Sequence, residues 1–225
     1  MESAPWLSLL DLASARLGGL TLAASDDFFA EKENLLQPGA AQYKDGVYTD
    51  RGKWMDGWES RRNRDPSKHH DWVVVRLGLP GRLAGFDVDT SFFVGNAPEH
   101  AAVDALATPD GRPLRPHEVA SLPESAWTEV LPKTAVERGA HNFLALTAEQ
   151  AARVPRATHV RLRIFPDGGV ARFARTARWC PTGRTPCPAS SSTSPAWPGA
   201  GARWPATTPS SRPRTTSTCR GRRAA

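Results

Sequence analysis

The first 170 residues of this 225-residue chain contain no cysteine; Cys180, Cys187 and Cys219 all lie beyond them. A disulfide framework is therefore excluded for the N-terminal part, which suits a reducing cytoplasm. No apolar run approaches the roughly 20 residues that span a bilayer, and residues 1–6 lack the basic start of a signal peptide. The expectation is a cytoplasmic chain with no membrane partner. From Ala171 onward Leu, Ile, Val, Met, Tyr, Lys, Asp, Glu, Asn, Gln and His are all missing. Without aliphatic side chains such a tail cannot offset its chain entropy, so disorder is expected there. Acidic residues divide the same way. Residues 1–170 hold 19 Lys+Arg against 23 Asp+Glu, a net −4, whereas residues 171–225 hold 10 Arg and no acid. The overall +6 thus rests on the tail, and no nucleic-acid partner is expected. A Gly-rich phosphate loop, H-E-x-x-H and paired C-x-x-C are absent, so no cofactor and no metal are expected. Asp26, Asp27 and Glu31 have the chemistry for a hard cation but no spaced ligand loop.

What is present in residues 1–172 reads as all-β. Residues 7–17 carry leucines and stop at Gly18-Gly19, the pattern of a short helix with a glycine cap. Residues 20–24 suit a first strand. Residues 72–77 are β-branched and are expected to end in a turn at Gly78 and Pro80. Residues 83–93 alternate around Phe86 and Val88, and residues 159–165 alternate Val160, Leu162 and Ile164 against Arg161 and Arg163. Pro166-Asp167-Gly168-Gly169 then supplies a hairpin turn before Val170. Short strands between turns predict one antiparallel sandwich with Val74, Phe86, Val88, Val160, Leu162 and Ile164 pointing inward.

The tail, residues 173–225, is expected to hold no strand and to make few contacts. Its composition is that of an Arg/Pro/Ser/Thr-rich linker or of GC-rich DNA read out of register. With one base of most shifted codons free, a shifted frame admits R-A-Y-G-E-V-V-P for residues 174–181, a natural continuation of the preceding strand. Residues 192–211 admit V-D-L-A-R-L-A-R-G-G-R-A-V-A-G-D-D-A-F-F. That string shares D-L-A, a Gly pair, an Asp pair and a Phe pair with residues 10–29, in the same order. The tail reads as an out-of-frame copy of a second internal repeat.

Polar residues crowd residues 26–96. Phe28, Phe29, Trp54, Trp58 and Trp72 are expected in the core, and isolated charges there in solvated loops. Residues 48–62, where acids and Arg interleave with Trp and Gly, exceed what packing requires. Arg51, Arg61 and Arg62 offer planar forks for a carboxylate; Asp26, Asp27, Asp56 and Glu59 offer acid, base or acceptor groups.

Several segments together resemble one family. D-D-F-F-A-E-K-E-N-L-L (26–36), Y-T-D-R-G-K-W-M-D-G-W-E-S-R-R (48–62), H-D-W (70–72), R-L-G-L-P-G (76–81), D-V-D-T-S-F-F-V-G-N (87–96) and F-P-D-G-G-V-A-R (165–172) resemble the allantoicases. The resemblance implies two repeated jelly-roll domains of galactose-binding-like type, hydrolysis of allantoate to ureidoglycolate and urea, and a homo-oligomer. The second repeat is not readable here beyond Phe173.

Losing urea from the substituted carbon of allantoate needs a proton on the leaving nitrogen and a base for the incoming water. Residue chemistry makes Asp27 or Glu59 the acid/base and His70 the alternative proton shuttle. Arg51 and Arg61 are the candidates for the carboxylate clamp, and Asn34 or backbone groups for holding the ureido arms. Two function classes are open: an allantoate hydrolase, whose single-repeat form is expected to turn over poorly, and a non-catalytic ligand- or carbohydrate-binding sandwich module.

Overall fold

A computed structural model describes residues 8–65 and 67–179. In chain order the elements are β1 (Leu10–Asp11), β2 (Leu20–Ala24), β3 (Tyr48–Thr49), β4 (Gly52–Lys53) and β5 (Trp58–Glu59), followed by the long β6 (Asp71–Asp89). After it come β7 (His100–Leu106), α1 (Pro116–Ala120), β8 (Thr128–Ala135), β9 (His141–Ala145) and α2 (Ala148–Arg153), then β10 (Ala157–Phe165), β11 (Gly169–Val170) and β12 (Arg172–Trp179). All strand pairings among the described residues are antiparallel. No helix among the described residues is long and apolar enough to cross a membrane.

The 19-residue β6 belongs to two sheets. Its first half pairs with β2 on one edge and β10 on the other, and β10 continues to β7 and β8. Its second half pairs with β12 and β9, and β12 continues to β1. The sheets β2-β6-β10-β7-β8 and β1-β12-β6-β9 close over a common core of Val73, Val75, Phe86, Val88, Val103, Val160, Leu162, Ile164 and Phe173. This is the expected all-β antiparallel sandwich, with strand crossing between layers as in a jelly roll.

The expected turn at Gly78 and Pro80 is instead the corner where β6 passes between sheets. The β10 ladder jumps from Arg76↔His159 to Gly81↔Ala157, and the β12 ladder begins at Gly81. Pro80 falls in that gap, where its missing N–H costs no ladder bond. Gly78 donates to Leu12 O at 2.8 Å, and a Cβ there would lie 2.1 Å from Leu17 O.

Other expectations are corrected. Residues 8–17 are not one helix: Leu10 pairs with β12 while Leu12 is buried, and Ala15–Leu17 forms a 3₁₀ turn. Sheet pairing outweighs the leucine pattern there, although Gly18 does cap that turn in the left-handed region. The turn before Gly169 returns to no neighbour of β10. Val170 pairs with Trp58, and the chain then enters β12 beside β6. Val74 is buried on the opposite face, against Leu22, Leu114 and Val119. Trp58 is in the core, but Phe28 and Phe29 are exposed, and Trp54 and Trp72 are only partly buried. A strand also runs through Trp179, past the expected end of structure at 172. The rest of the tail expectation lies outside the described residues.

The outer face of the larger sheet carries ions as well as apolar groups. Arg161 on β10 donates to Asp104 Oδ2 on β7 at 2.9 Å and to both oxygens of Glu124, and its guanidinium sits 5.0 Å from the Trp127 ring. Arg163 donates to Asp104 Oδ1 at 2.9 Å and to Glu129. The expected alternation of β10 therefore holds, yet Arg161 is buried too.

Candidate active site

Short β5 is held from both sides. Glu59 exchanges backbone hydrogen bonds with Ala30 and pairs with Gly169 in β11. Trp58 points into the core, its Nε1 donating to Asp26 O at 2.8 Å. Alternation then sends the Glu59 carboxyl the other way, into a 580 Å³ cleft lined by Phe29, Tyr43, Lys53, Met55, Phe92 and Asn96. Gly57 lets the strand approach its neighbours: a Cβ there would lie 2.5 Å from Val170 O.

Burial pushes the Glu59 carboxyl up from the ordinary value, against the opposing pull of a hydrogen bond from Asn96 and the charge of Arg62. Asn96 Nδ2 donates to Glu59 Oε1 at 2.6 Å. The loop bearing Asn96 is anchored by Thr90, whose backbone N–H and hydroxyl bond to Ala140 O, and by the wholly buried Phe93. Phe92 takes a left-handed φ of 70°, uncommon for an aromatic residue, and turns outward to stack on Tyr43 at 5.7 Å. Lys53 Nζ donates to the Tyr43 hydroxyl at 2.9 Å.

A second cavity of 360 Å³ shares Phe29 and Met55 with the cleft and adds Glu31, Asn34, Asp50, Arg51 and Trp54. Asn34 Nδ2 donates to Gly57 O at 3.1 Å, and Arg51 donates to Phe28 O at 3.2 Å. Glu59, Asn34 and Arg51 are thus brought to adjoining cavities. The other three candidates are not. Arg61 is bound to Asp26 through Nε at 2.8 Å and Nη2 at 2.7 Å and lines neither cavity, though it and Arg51 both lie near the Phe28 ring. Asp26 is held below its ordinary pKa: burial pushes it up, but hydrogen bonds from the Arg61 and Phe28 amides and the Arg61 guanidinium outweigh that. Asp27 pairs with Lys32 at 3.1 Å. His70 packs against Phe165 at 5.3 Å, its pKa lowered by burial and then by Arg163 and Arg161. Asn96, Lys53 and Tyr43 were not singled out in the sequence. Asn96 ends the segment 87–96, whose Gly-Asn after a Phe pair was the available signal.

Residues 10–178 match the family model described as "Allantoicase repeat". The chain belongs to the allantoicase family. A protein named "Probable allantoicase" from Photobacterium profundum is 48% identical over 164 residues, covering 73% of this chain and 45% of that one. Another so named, from Pseudomonas savastanoi pv. phaseolicola, is 44% identical over 171 residues, covering 76% and 47%. Among solved structures, an allantoicase is 30% identical with a TM-score of 0.61, and the allantoicase of Saccharomyces cerevisiae is 32% identical with a TM-score of 0.59. Each alignment covers 76% of this chain and 49% of that structure. The chain thus spans about half the length of the allantoicases it matches. The family match also runs past Phe173, where the resemblance read from sequence had stopped.

Proposed function

We propose that this allantoicase repeat serves the hydrolysis of allantoate to ureidoglycolate and urea in purine degradation, with Glu59 as its acid/base. The observation that carries the reading is the partly buried Glu59 carboxyl facing a cleft, its pKa raised, with one oxygen held by Asn96. A carboxyl whose pKa is lifted toward neutrality can both give and take a proton. Protonated Glu59 delivers its proton to the leaving ureido nitrogen as the C–N bond breaks. The resulting carboxylate then takes a proton from the water that adds to the imine-like carbon. Arg51 and Lys53, in adjoining cavities, supply positive charge for the substrate carboxylate, and Asn34 and Asn96 supply amides for the ureido arms. Asp27, Arg61 and His70 stand outside this arrangement, and Arg61 acts through Asp26 on the segment that precedes Phe28 and Phe29.

The test is urea release from allantoate by a two-repeat form with the shifted frame restored. Glu59→Gln should lower turnover about 10²–10⁴-fold. Unchanged turnover would remove Glu59 from the role. The same assay on the 225-residue chain should give far lower turnover, because the cleft rim leaves Phe29, Tyr43, Phe92 and Val94 exposed. DNA around the Phe173 codon decides the frame: stops closing the other frame would exclude a displaced second repeat. A homo-oligomer and cytoplasmic residence belong to the same proposal. A binding module without chemistry is favoured by one feature, the exposed Tyr43–Phe92 stack, and a glycan-binding screen tests it.

A further inference from the structure

Asp167, in the turn between β10 and β11, is only 2% exposed. An ionised carboxyl so deep in a fold requires donors, and both of its oxygens find them in one short segment. Oδ2 accepts from the Asn63 N–H at 2.7 Å, and Oδ1 lies 3.1 Å from Arg62 Nη1. That segment leaves β5 directly after Glu59. Gly168 grips it as well: its N–H donates to Ser60 Oγ at 3.2 Å, and its carbonyl accepts from the Ser60 N–H at 3.1 Å.

The other side of the turn carries the loop that bears Asn96. Gly169 stands opposite Glu59 in register, and its N–H donates to Asn96 O at 2.8 Å. The approach is close. Gly168 has a φ of 127°, open to glycine, and a Cβ there would lie 2.3 Å from Asn96 O. One on Gly169 would lie 2.0 Å from the Phe93 ring. A single turn therefore fixes two backbones, those of Glu59 and Asn96, whose side chains meet at 2.6 Å. It also fixes Arg62, the planar fork at the end of the acid- and arginine-rich segment. The Arg62 side chain is 62% exposed and pairs with Asp167, and its charge reaches Glu59.

We propose that Asp167 is a positioning residue for the hydrolysis: it clamps the 167–169 turn onto residues 60–63 and thereby holds Asn96 and Arg62 against Glu59. This rests on the reading of Glu59 as acid/base, and it adds how the proton affinity of that carboxyl is kept in range. Asn96 by its hydrogen bond and Arg62 by its charge both oppose the burial that raises the Glu59 pKa. Releasing either one raises it further. Two other routes have the opposite sign. Removing an Asp167 charge that acted on Glu59 directly would lower the pKa, and so would a loosening that merely let water reach the carboxyl.

The Glu59 midpoint is followed in the full chain by carboxyl-detected NMR as pH is varied. Asp167→Asn keeps an acceptor for the Asn63 N–H, so the turn stays closed, but it loses the charge that holds Arg62. It should raise the midpoint by about half a pH unit, the scale of a screened surface charge. Arg62→Gln should give a rise of the same size, and the two substitutions together no more than either alone. A fall or an unchanged midpoint in either variant, or additive rises in the pair, would overturn the proposal. Arg62 is exposed, so Arg62→Gln keeps that refutation open if Asp167→Asn fails to fold. The midpoints are read without turnover. The clamp can therefore fail while Glu59 keeps its role in urea release, and loss of that role would leave the midpoints as they are.

Discussion

Asn96 Nδ2 meets Glu59 Oε1 at 2.6 Å, so an amide from the loop after β6 sets the proton affinity of a carboxyl on β5. Burial raises the Glu59 pKa and the Asn96 bond opposes that rise. Asn96→Ala should therefore raise it further. A carboxyl-detected NMR titration should place native Glu59 above the ordinary 4.5 and the variant higher still. Native and variant midpoints both at the ordinary value would contradict this coupling.

The same shift makes a stability prediction. A folded-state pKa above the unfolded one means the group's favourable contribution is complete below the unfolded value and lost as pH rises through the folded value. At pH 7 the folded state thus bears a penalty that Glu59→Gln relieves. The variant's Tm at pH 7 should equal or exceed the native one, with the advantage shrinking as pH falls toward 4. A variant markedly less stable at pH 7 would show that the charged form is favoured.

His141 moves the other way from His70. Burial pulls its pKa down, but the Asp87 hydrogen bond and the charges of Asp87 and Asp89 outweigh that and raise it. Asp87 is itself raised by its burial, which exceeds the opposing effect of His141. For the 2.8 Å pair the His141 direction follows from the contact itself. Its stabilising share is complete below pH 6.5 and disappears as pH climbs through the raised value. Imidazole proton shifts should give His141 a midpoint above 6.5, falling in Asp87→Asn.

Asp104 stands between two arginines. It is nearly buried and accepts from both Arg161 and Arg163. Asp104→Ala would leave two guanidinium groups sharing only Glu124 and Glu129. A loss of about 3 kcal/mol is expected from removing one partner of a buried ion network. Denaturant unfolding measures it, and a loss below about 0.5 kcal/mol would mean that solvent already screens the cluster.

Gly57 is a packing requirement beside the cleft. A Cβ would lie 2.5 Å from Val170 O and 2.7 Å from Ala171 Cα, so β5 or β11 must shift. Gly57→Ala should cost about 2 kcal/mol and move the ¹³C shifts of the Glu59 carboxyl. A native-like Tm with an unmoved Glu59 signal would show that the strands separate freely.

Period-2 patterning made the faces of β10 legible. Val160, Leu162 and Ile164 are all in the core because alternate side chains must leave opposite sides of an extended chain. The same pattern was silent about partners. Gly78 and Pro80 have the composition of a turn, and only the paths of β10, β2 and β12 make that stretch a corner in a continuous β6. Val74 is buried because α1 and Leu114 cover the outer face, which no local pattern in β6 encodes.

Segments 26–36 and 48–62, with shorter ones as far as 172, carried the family resemblance, and the sequence named Asp27, Glu59, His70, Arg51, Arg61 and Asn34 as site candidates, since that density of acids and arginines is chemical rather than conformational. Which candidates share a space was decided in tertiary structure alone. Asp26 and Asp27 are adjacent in sequence, yet one anchors Arg61 and the other pairs with Lys32. Asn96 joins Glu59 across 37 positions, and His141 joins Asp87 across 54. Those meetings depend on where loops from separate strands converge after β6 has changed sheets, and chain-local chemistry carries no information about that convergence.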